Sequence, residues 1–296
     1  MVVVGGCNAD VVAAADPLPA GVSTPGRVRL GAGGAARNVA ENLARLGVPV
    51  RLVAGVGSDP LSDQVVAATA RAGVDVSGVV AVDARPNAYV AVMSGGRVLY
   101  AVSQMVAAEA LTPEHLRPQA AAVRTARVLV ADANLSPPTL AAAVELPRRG
   151  MLCLLAVSPA KAGRLLPHLS RADALVCSAR EAAVLAGTED VARAAAVLRE
   201  RGPRTVVVTV GEDGVMWAGQ DVHRAPAPPV TVADPTGAGD AVAAVVVYAL
   251  LSGLPERAAA ALAAAAGAVT VTVEGSTHPE LNLAALRAHA GLAASP

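Results

Sequence analysis

The chain predicts an α/β protein: a doubly wound, mostly parallel sheet flanked by helices, with a small β-sheet lid. Three observations carry that expectation. Short apolar runs, Met1 to Val4, Val50 to Val56, Val128 to Ala131, Leu152 to Val157, Ala174 to Cys177 and Thr205 to Val210, alternate with helix-compatible sequence. A strand buried on both faces of a parallel sheet reads as such a continuous apolar run. Residues 11–30 and 79–102 instead alternate in polarity and carry Pro and Gly, as edge strands and hairpins do. Finally, 296 residues suffice for one large α/β domain with a small appendage, or for two ordinary domains. The unbroken alternation favours one domain over 1–296, with lid strands from about 11–30 and 79–106.

Taken in order, Met1 to Val4 ends at Gly5-Gly6, which places Asn8 and Asp10 at the carboxyl end of the first strand. Open α/β sheets bind ligands at that edge. Asn and Asp also form turns, and that plain reading stands beside the functional one. The run lacks a basic leader and reads as a strand rather than a signal peptide. Pro17, Pro19, Gly21, Pro25 and Gly26 make residues 11–30 an irregular excursion that returns at Gly31-Ala32-Gly33-Gly34. Val39, Leu43 and Leu46 then fall at helical spacing, with Gly47 as the stop. Gly33, Gly34, Arg37 and Asn38 therefore lie at a helix N-terminus, facing the cavity that Asn8 and Asp10 face.

After the strand at Val50 to Val56, Gly57-Ser58-Asp59-Pro60 turns into a helix over Leu61 to Ala72. Val79 to Val82, Ala88 to Val92 and Val98 to Val102 read as strands, the last two joined at Ser94-Gly95-Gly96. Together with residues 11–30 they are expected to form the lid. A helix over Pro113 to Val123 precedes the β-α alternation, and a strand pair near Gly214 to Ala218 and Asp221 to Arg224 closes it. Pro255-Glu256 opens a capped, buried Ala-rich helix.

Composition narrows the function classes. Lys plus Arg and Asp plus Glu number 24 each, so no charge excess points to a nucleic-acid or membrane partner, and a small substrate is expected. Cys7, Cys153 and Cys177 lie in or beside apolar runs and read as core thiols of a reducing compartment. The five histidines lack the spacing of a zinc site. Lys161 is the sole lysine, which excludes a Walker-type phosphate loop, and no Gly-x-Ser-x-Gly elbow occurs. The apolar helix after Asp240 comes nearest to a membrane span, but Asp240, Tyr248 and Ser252-Gly253 mark it as a core helix. A cytoplasmic protein is expected.

The stretch Asp234-Pro235-Thr236-Gly237-Ala238-Gly239-Asp240 carries the chemistry. Small residues at 237–239 let the backbone turn tightly and aim successive N–H groups into one spot at a helix N-terminus, a geometry that binds anions. Asp240 falls in the first helical turn beside that cradle. Amides that neutralise a transferred group, next to a carboxylate that accepts a proton, suit phosphoryl transfer to a hydroxyl. An ordinary Gly-rich helix cap is the competing reading.

With its acidic flank, TGAGDA in the last third of the chain resembles the signature of the ribokinase-like (PfkB-type) carbohydrate and nucleoside kinases. The resemblance implies that fold, ATP and Mg²⁺ as cofactors, and Asp240 as base with Gly237, Ala238 and Gly239 as anion cradle. Asn8, Asp10, Gly33, Gly34 and Asn38 resemble the family's sugar-binding elements. Ser178-Ala179-Arg180-Glu181 resembles its Asn-x-x-Glu element, with Ser for Asn; it implies Glu181 on Mg²⁺ through water. Thr209, Gly211 and Gly214 resemble the segment lining the ATP site. Asp234 and Thr236 stand where members hold a monovalent cation, which implies K⁺.

One branch fits best. Gly5-Gly6-Cys7-Asn8-Ala9-Asp10, Ser23-Thr24-Pro25-Gly26, Gly33-Gly34 with Arg37-Asn38, Asp132-Ala133-Asn134-Leu135 and Ser158-Pro159-Ala160-Lys161 look like the pseudouridine kinases. That likeness implies pseudouridine as phosphoryl acceptor, with Asn134 also on the substrate side. For Arg37 three readings stay open: contact with the base, with a phosphate, or a pair with Glu41 one turn on. Ala35-Ala36 and Pro86-Asn87-Ala88-Tyr89 depart from the branch's pattern. A kinase for another nucleoside, ribose or a ketohexose is the alternative, and a catalytically silent sugar-binding relative the second. Alternating lid strands also suit a homodimer paired through the lid.

Overall fold

A computed structural model describes residues 1–95 and 97–292. Gly96, expected in a hairpin turn, falls outside them. The first half contains β1 (Val2–Val4), β2 (Asn8–Ala14), β3 (Arg27–Gly33), α1 (Ala35–Arg45), β4 (Arg51–Val56), α2 (Pro60–Arg71), β5 (Asp75–Ala81), β6 (Ala88–Ser94), β7 (Arg97–Gln104), α3 (Val106–Ala110), α4 (Pro113–Leu116) and α5 (Ala120–Thr125). The alternating half follows with β8 (Val128–Asp132), α6 (Pro137–Glu145), β9 (Met151–Leu155), α7 (Pro159–Ala162), β10 (Ala174–Ser178), α8 (Ala179–Ala186), α9 (Val191–Glu200) and β11 (Thr205–Thr209). A closing pair, β12 (Val215–Ala218) and β13 (Val222–Ala225), precedes α10 (Ala238–Ser252), α11 (Glu256–Thr270) and α12 (Leu283–His289).

The large sheet runs β13-β12-β11-β10-β9-β8-β1-β4-β5, parallel except for β12 and β13. Its strands feed two cores by strict alternation. Val3, Leu52, Val130 and Val176 face one side with α1 and α10, while Val2, Val53, Leu129 and Leu175 face the other with α6 and α9. Burial on both faces is why these strands read as unbroken apolar runs. After β1 the chain builds β4 and β5 on one side and then returns to β8 on the other. This reversal places a ligand crevice at the carboxyl ends of β1 and β8.

A second sheet, β3-β2-β6-β7, stands over that crevice. Its pairing sets Asp10 opposite Gly31 and Tyr89, and Val12 opposite Arg29 and Ala91, so these residues share the inner face. The outer face is apolar and open, with Val28, Leu30, Tyr100 and Val102 each more than 60 % exposed.

Two expectations change. The strand expected at 79–82 in the lid is the end of β5, which pairs with β4 in the large sheet. β5 lies at the edge of the large sheet, and Asp75, Ser77 and Ala81 on alternate positions are exposed. The helix expected over 113–123 is broken into α4, a 3₁₀ turn at Arg117–Gln119 and α5. Pro118 lacks the N–H that a continuous helix needs. No helix among the described residues is long and apolar enough to cross a membrane.

Candidate active site

The site grows from the switch point. β1 stops at Gly5-Gly6, and the buried carboxylate of Asp132, at the end of β8, accepts from Gly6 N–H at 2.9 Å and from Ala36 N–H in the first turn of α1 at 3.0 Å. Asn134 N–H and Nδ2 complete its shell. Burial raises the pKa of Asp132, and these hydrogen bonds oppose the shift. One carboxylate thus locks β1, β8 and α1 together and fixes where α1 presents its first turn.

β2 carries the first substrate-side residues. Asn8 is buried and donates to Asp10 Oδ1 at 2.7 Å, which aims the Asp10 carboxylate into a cavity of about 400 Å³. Burial raises the Asp10 pKa, against the pull of Asn8, Arg37 and Arg29. Gly33 faces Asn8 across the β2–β3 pair, and a side chain there would run into the Asp10 carboxylate. Tyr89 and Arg29 line the same cavity from β6 and β3.

Asn38 connects this cavity to the catalytic turn. Its Nδ2 donates to Asp240 Oδ2 at 2.7 Å, while its Oδ1 accepts from Arg37 and lies 3.2 Å from the Ser276 hydroxyl. Asp240 sits in the first turn of α10, which starts from Gly237 at φ +80°. Gly is required there twice over, since a side chain would also meet the Ser276 carbonyl. The first backbone bond of the helix runs from Ala241 N–H to Gly237 carbonyl at 3.0 Å. The four N–H groups of residues 237–240 therefore have no intrahelical acceptor. Burial, with Asp132, Asp10 and Glu181 nearby, raises Asp240 to about 7 although Asn38 opposes the shift.

Asp240 and Gly239 open into a narrow crevice of about 100 Å³ with Ser178, Glu181 and Thr209. Ser178 caps α8 in a reciprocal box: its hydroxyl accepts from Glu181 N–H, and its own N–H donates to Glu181 Oε2 at 2.7 Å. Glu181 lines the crevice as well. Val157 lines it too and is the only non-glycine residue with positive φ, +67°, among those described. Beyond Thr209 and Gly239 lies a larger, apolar cavity of about 710 Å³, walled by Gly211, Gly214, Pro228, Val242 and Ala264.

The expected residues therefore gather around the cavity of about 400 Å³, the crevice and the apolar cavity, the last two sharing Thr209 and Gly239, and three of them are committed to protein partners. Arg37 spends its guanidinium on the protein: Nε on Thr69, Nη1 on Ala32 carbonyl and Asn38, Nη2 on Glu41. Of its three readings the pair with Glu41 holds, because Glu41 is buried on the same helix face and also takes Arg45 and Thr277. Asn134 turns away from the cavities, with Nδ2 on Asp132 and Oδ1 on the ammonium of Lys161 at 2.7 Å. Asp234 does not present a free carboxylate to a cation, because Thr236 N–H, Gly275 N–H and the Arg29 guanidinium fill its oxygens. Arg29 was not legible beforehand.

Several known proteins are similar. The model of the pfkB family carbohydrate kinases matches residues 1–282. The pseudouridine kinase of Escherichia coli K12 is 29% identical over 295 residues, covering 96% of this chain and 94% of that one. A carbohydrate kinase from Agrobacterium tumefaciens superposes with a TM-score of 0.83 at 33% identity, covering 98% of this chain and 96% of that one. An Escherichia coli protein assigned as a ribokinase II, in complex with ATP and Mg²⁺, superposes at 0.86 with 21% identity and 97% of each chain covered, and shares the fold.

Proposed function

The chain belongs to the pfkB family of carbohydrate kinases, and from that premise we propose that it transfers the γ-phosphoryl group of ATP to the 5′-hydroxyl of pseudouridine. The products are pseudouridine 5′-phosphate and ADP. The observation that carries the reading is the place of Asp240: it closes a run of four N–H groups with no intrahelical acceptor, is held by Asn38, and lines the crevice that adjoins the apolar cavity.

In this reading Asp10 accepts from ribose hydroxyls, with Asn8 fixing its orientation. Asp240 takes the 5′-hydroxyl proton as the new O–P bond forms, and the bond from the γ-phosphorus to the bridging oxygen of ADP breaks. The N–H groups of residues 237–240 receive the charge of the transferred group. A carboxyl poised at about 7 is suited to that base. Thr209, Gly211 and Gly214 border the cavity that fits the nucleotide's apolar base. Glu181 and the Ser178 hydroxyl would hold Mg²⁺ through water, and Mg²⁺ would supply charge neutralisation on the phosphates.

Pseudouridine over other acceptors is supported by the extent of the likeness to the Escherichia coli enzyme. A cavity of about 400 Å³ has room for a nucleoside, with the Tyr89 ring on its wall as a surface for the base. Cys7, Cys153 and Cys177 are free and buried, in keeping with a cytoplasmic enzyme. The open apolar face of the small sheet supports association of two copies through it.

The test is Mg-ATP-dependent ADP release against pseudouridine, uridine, adenosine, ribose and fructose. Turnover preferring pseudouridine supports the proposal. Preference for another acceptor keeps the mechanism and overturns the substrate. Saturable binding with no ADP release from any of them would make the chain a silent relative.

A further inference from the structure

We propose that the guanidinium of Arg29 takes the place of a monovalent cation at Asp234, so that this chain needs no K⁺. The inference rests on the kinase reading, in which a cation beside the phosphoryl cradle would neutralise the carboxylate that precedes it.

The residues at this position do not fit a potassium ion. Asp234 is 5 % exposed, and both carboxylate oxygens are engaged by N–H donors. Oδ1 accepts from Thr236 N–H at 2.9 Å, and Oδ2 accepts from Gly275 N–H at 3.1 Å and from Arg29 Nη2 at 2.7 Å. An alkali cation needs oxygen ligands, and here it would face a fixed positive charge instead. Burial by itself would raise the Asp234 pKa, but the bonds from Thr236, Gly275 and Arg29 outweigh it and hold the carboxyl below its usual range. The Asp234 carboxylate is therefore ionised at neutral pH.

The position of the charge gives it a task. Asp234 lies three residues before Gly237 and grips Thr236 N–H, so it sets the turn that builds the cradle. Left unpaired, its negative charge would oppose an incoming phosphate. Arg29 removes that opposition from the inner face of β3, and Glu274 at 4.0 Å flanks its Nε. Arg29 thereby also ties the small sheet to the catalytic turn, 205 residues away in sequence. It is a positioning residue: it touches the turn, and the turn's N–H groups touch the phosphoryl group.

The experiment measures the full chain with Mg-ATP and pseudouridine, or with whichever panel acceptor turns over, as tetramethylammonium is replaced by K⁺ at constant ionic strength. Melting temperatures are recorded in the same series. The wild-type kcat should change by less than about twofold. Arg29→Ala should lose about tenfold or more in kcat without K⁺, keep its KM for ATP within about threefold, and regain part of the loss as K⁺ is added. Arg29→Lys should stay K⁺-independent. Activation of the wild type by about tenfold or more, or an Arg29→Ala rate unchanged without K⁺, overturns the inference. If no acceptor turns over in any salt, the kinase reading fails separately and the melting series decides. K⁺ stabilising Arg29→Ala but not the wild type supports replacement, and any other pattern refutes it.

Discussion

Replacing Asp240 by Asn should push activity and stability in opposite directions. As a base, the carboxylate contributes about 10²–10⁴ in rate, and kcat of Asp240→Asn should fall by that much. Stability follows from the raised pKa, about 7 in the fold against 3.8 for an ordinary aspartate. Between those values the folded protein keeps a proton that the unfolded chain has lost. The stabilising contribution of the protonated group is therefore complete below about pH 4 and is lost as the pH rises through about 7. A tenfold change in proton affinity is worth about 1.36 kcal/mol, so the full difference sets a ceiling of about 4 kcal/mol. Asp240 remains partly open to the crevice, so solvent screening reduces the expected cost to about 1–3 kcal/mol.

The amide oxygen introduced by Asp240→Asn can still accept from Asn38, so the substitution removes charge while keeping shape. At pH 8 the unliganded variant should melt above the wild type, and the gap should narrow on acidification and close near about pH 4. The wild-type kcat/KM should rise with pH and level off above about 7. Thermal melts and initial rates across that range test both arms. A variant with kcat within about tenfold of the wild type, or one that melts lower at pH 8, would refute the assignment of Asp240 as a buried, proton-accepting base.

Gly33→Ala drives a methyl group into the Asp10 carboxylate; steady-state kinetics should show the acceptor KM raised by about tenfold, with the KM for ATP within about twofold. Glu181→Gln, which keeps an acceptor for Ser178 N–H, should raise the Mg²⁺ concentration needed for half-maximal rate, whereas Glu181→Ala should in addition cost about 1 kcal/mol in melts through the lost cap. Charging the open face with Tyr100→Lys and Val102→Lys should leave a monomer by sedimentation, with kcat changed by less than about twofold.

The parts of this molecule legible in its sequence are those whose cause is local. Continuous apolar runs betray strands covered on both faces, and Gly237 and Asp240 announce a tight turn into a helix, because backbone geometry and helix position set the role of each. What was hidden depends on partners far away in the chain. Arg37 and Arg29 look alike as isolated residues, yet one pairs with Glu41 on its own helix and the other reaches across to Asp234. Asn134 and Asn38 look alike as well, and only the tertiary fold turns one toward Lys161 and the other toward Asp240. Val157 gives no sign of its positive φ in a run that otherwise reads as strand; holding a β-branched residue there costs about 1–2 kcal/mol, and it lies against the crevice. The i,i+4 pair of Arg37 and Glu41 is legible from spacing, whereas Arg29 and Asp234 find each other only through the fold. For the same reason, a family's cation site carried over by motif alone identifies the carboxylate of Asp234 but not the charge that answers it.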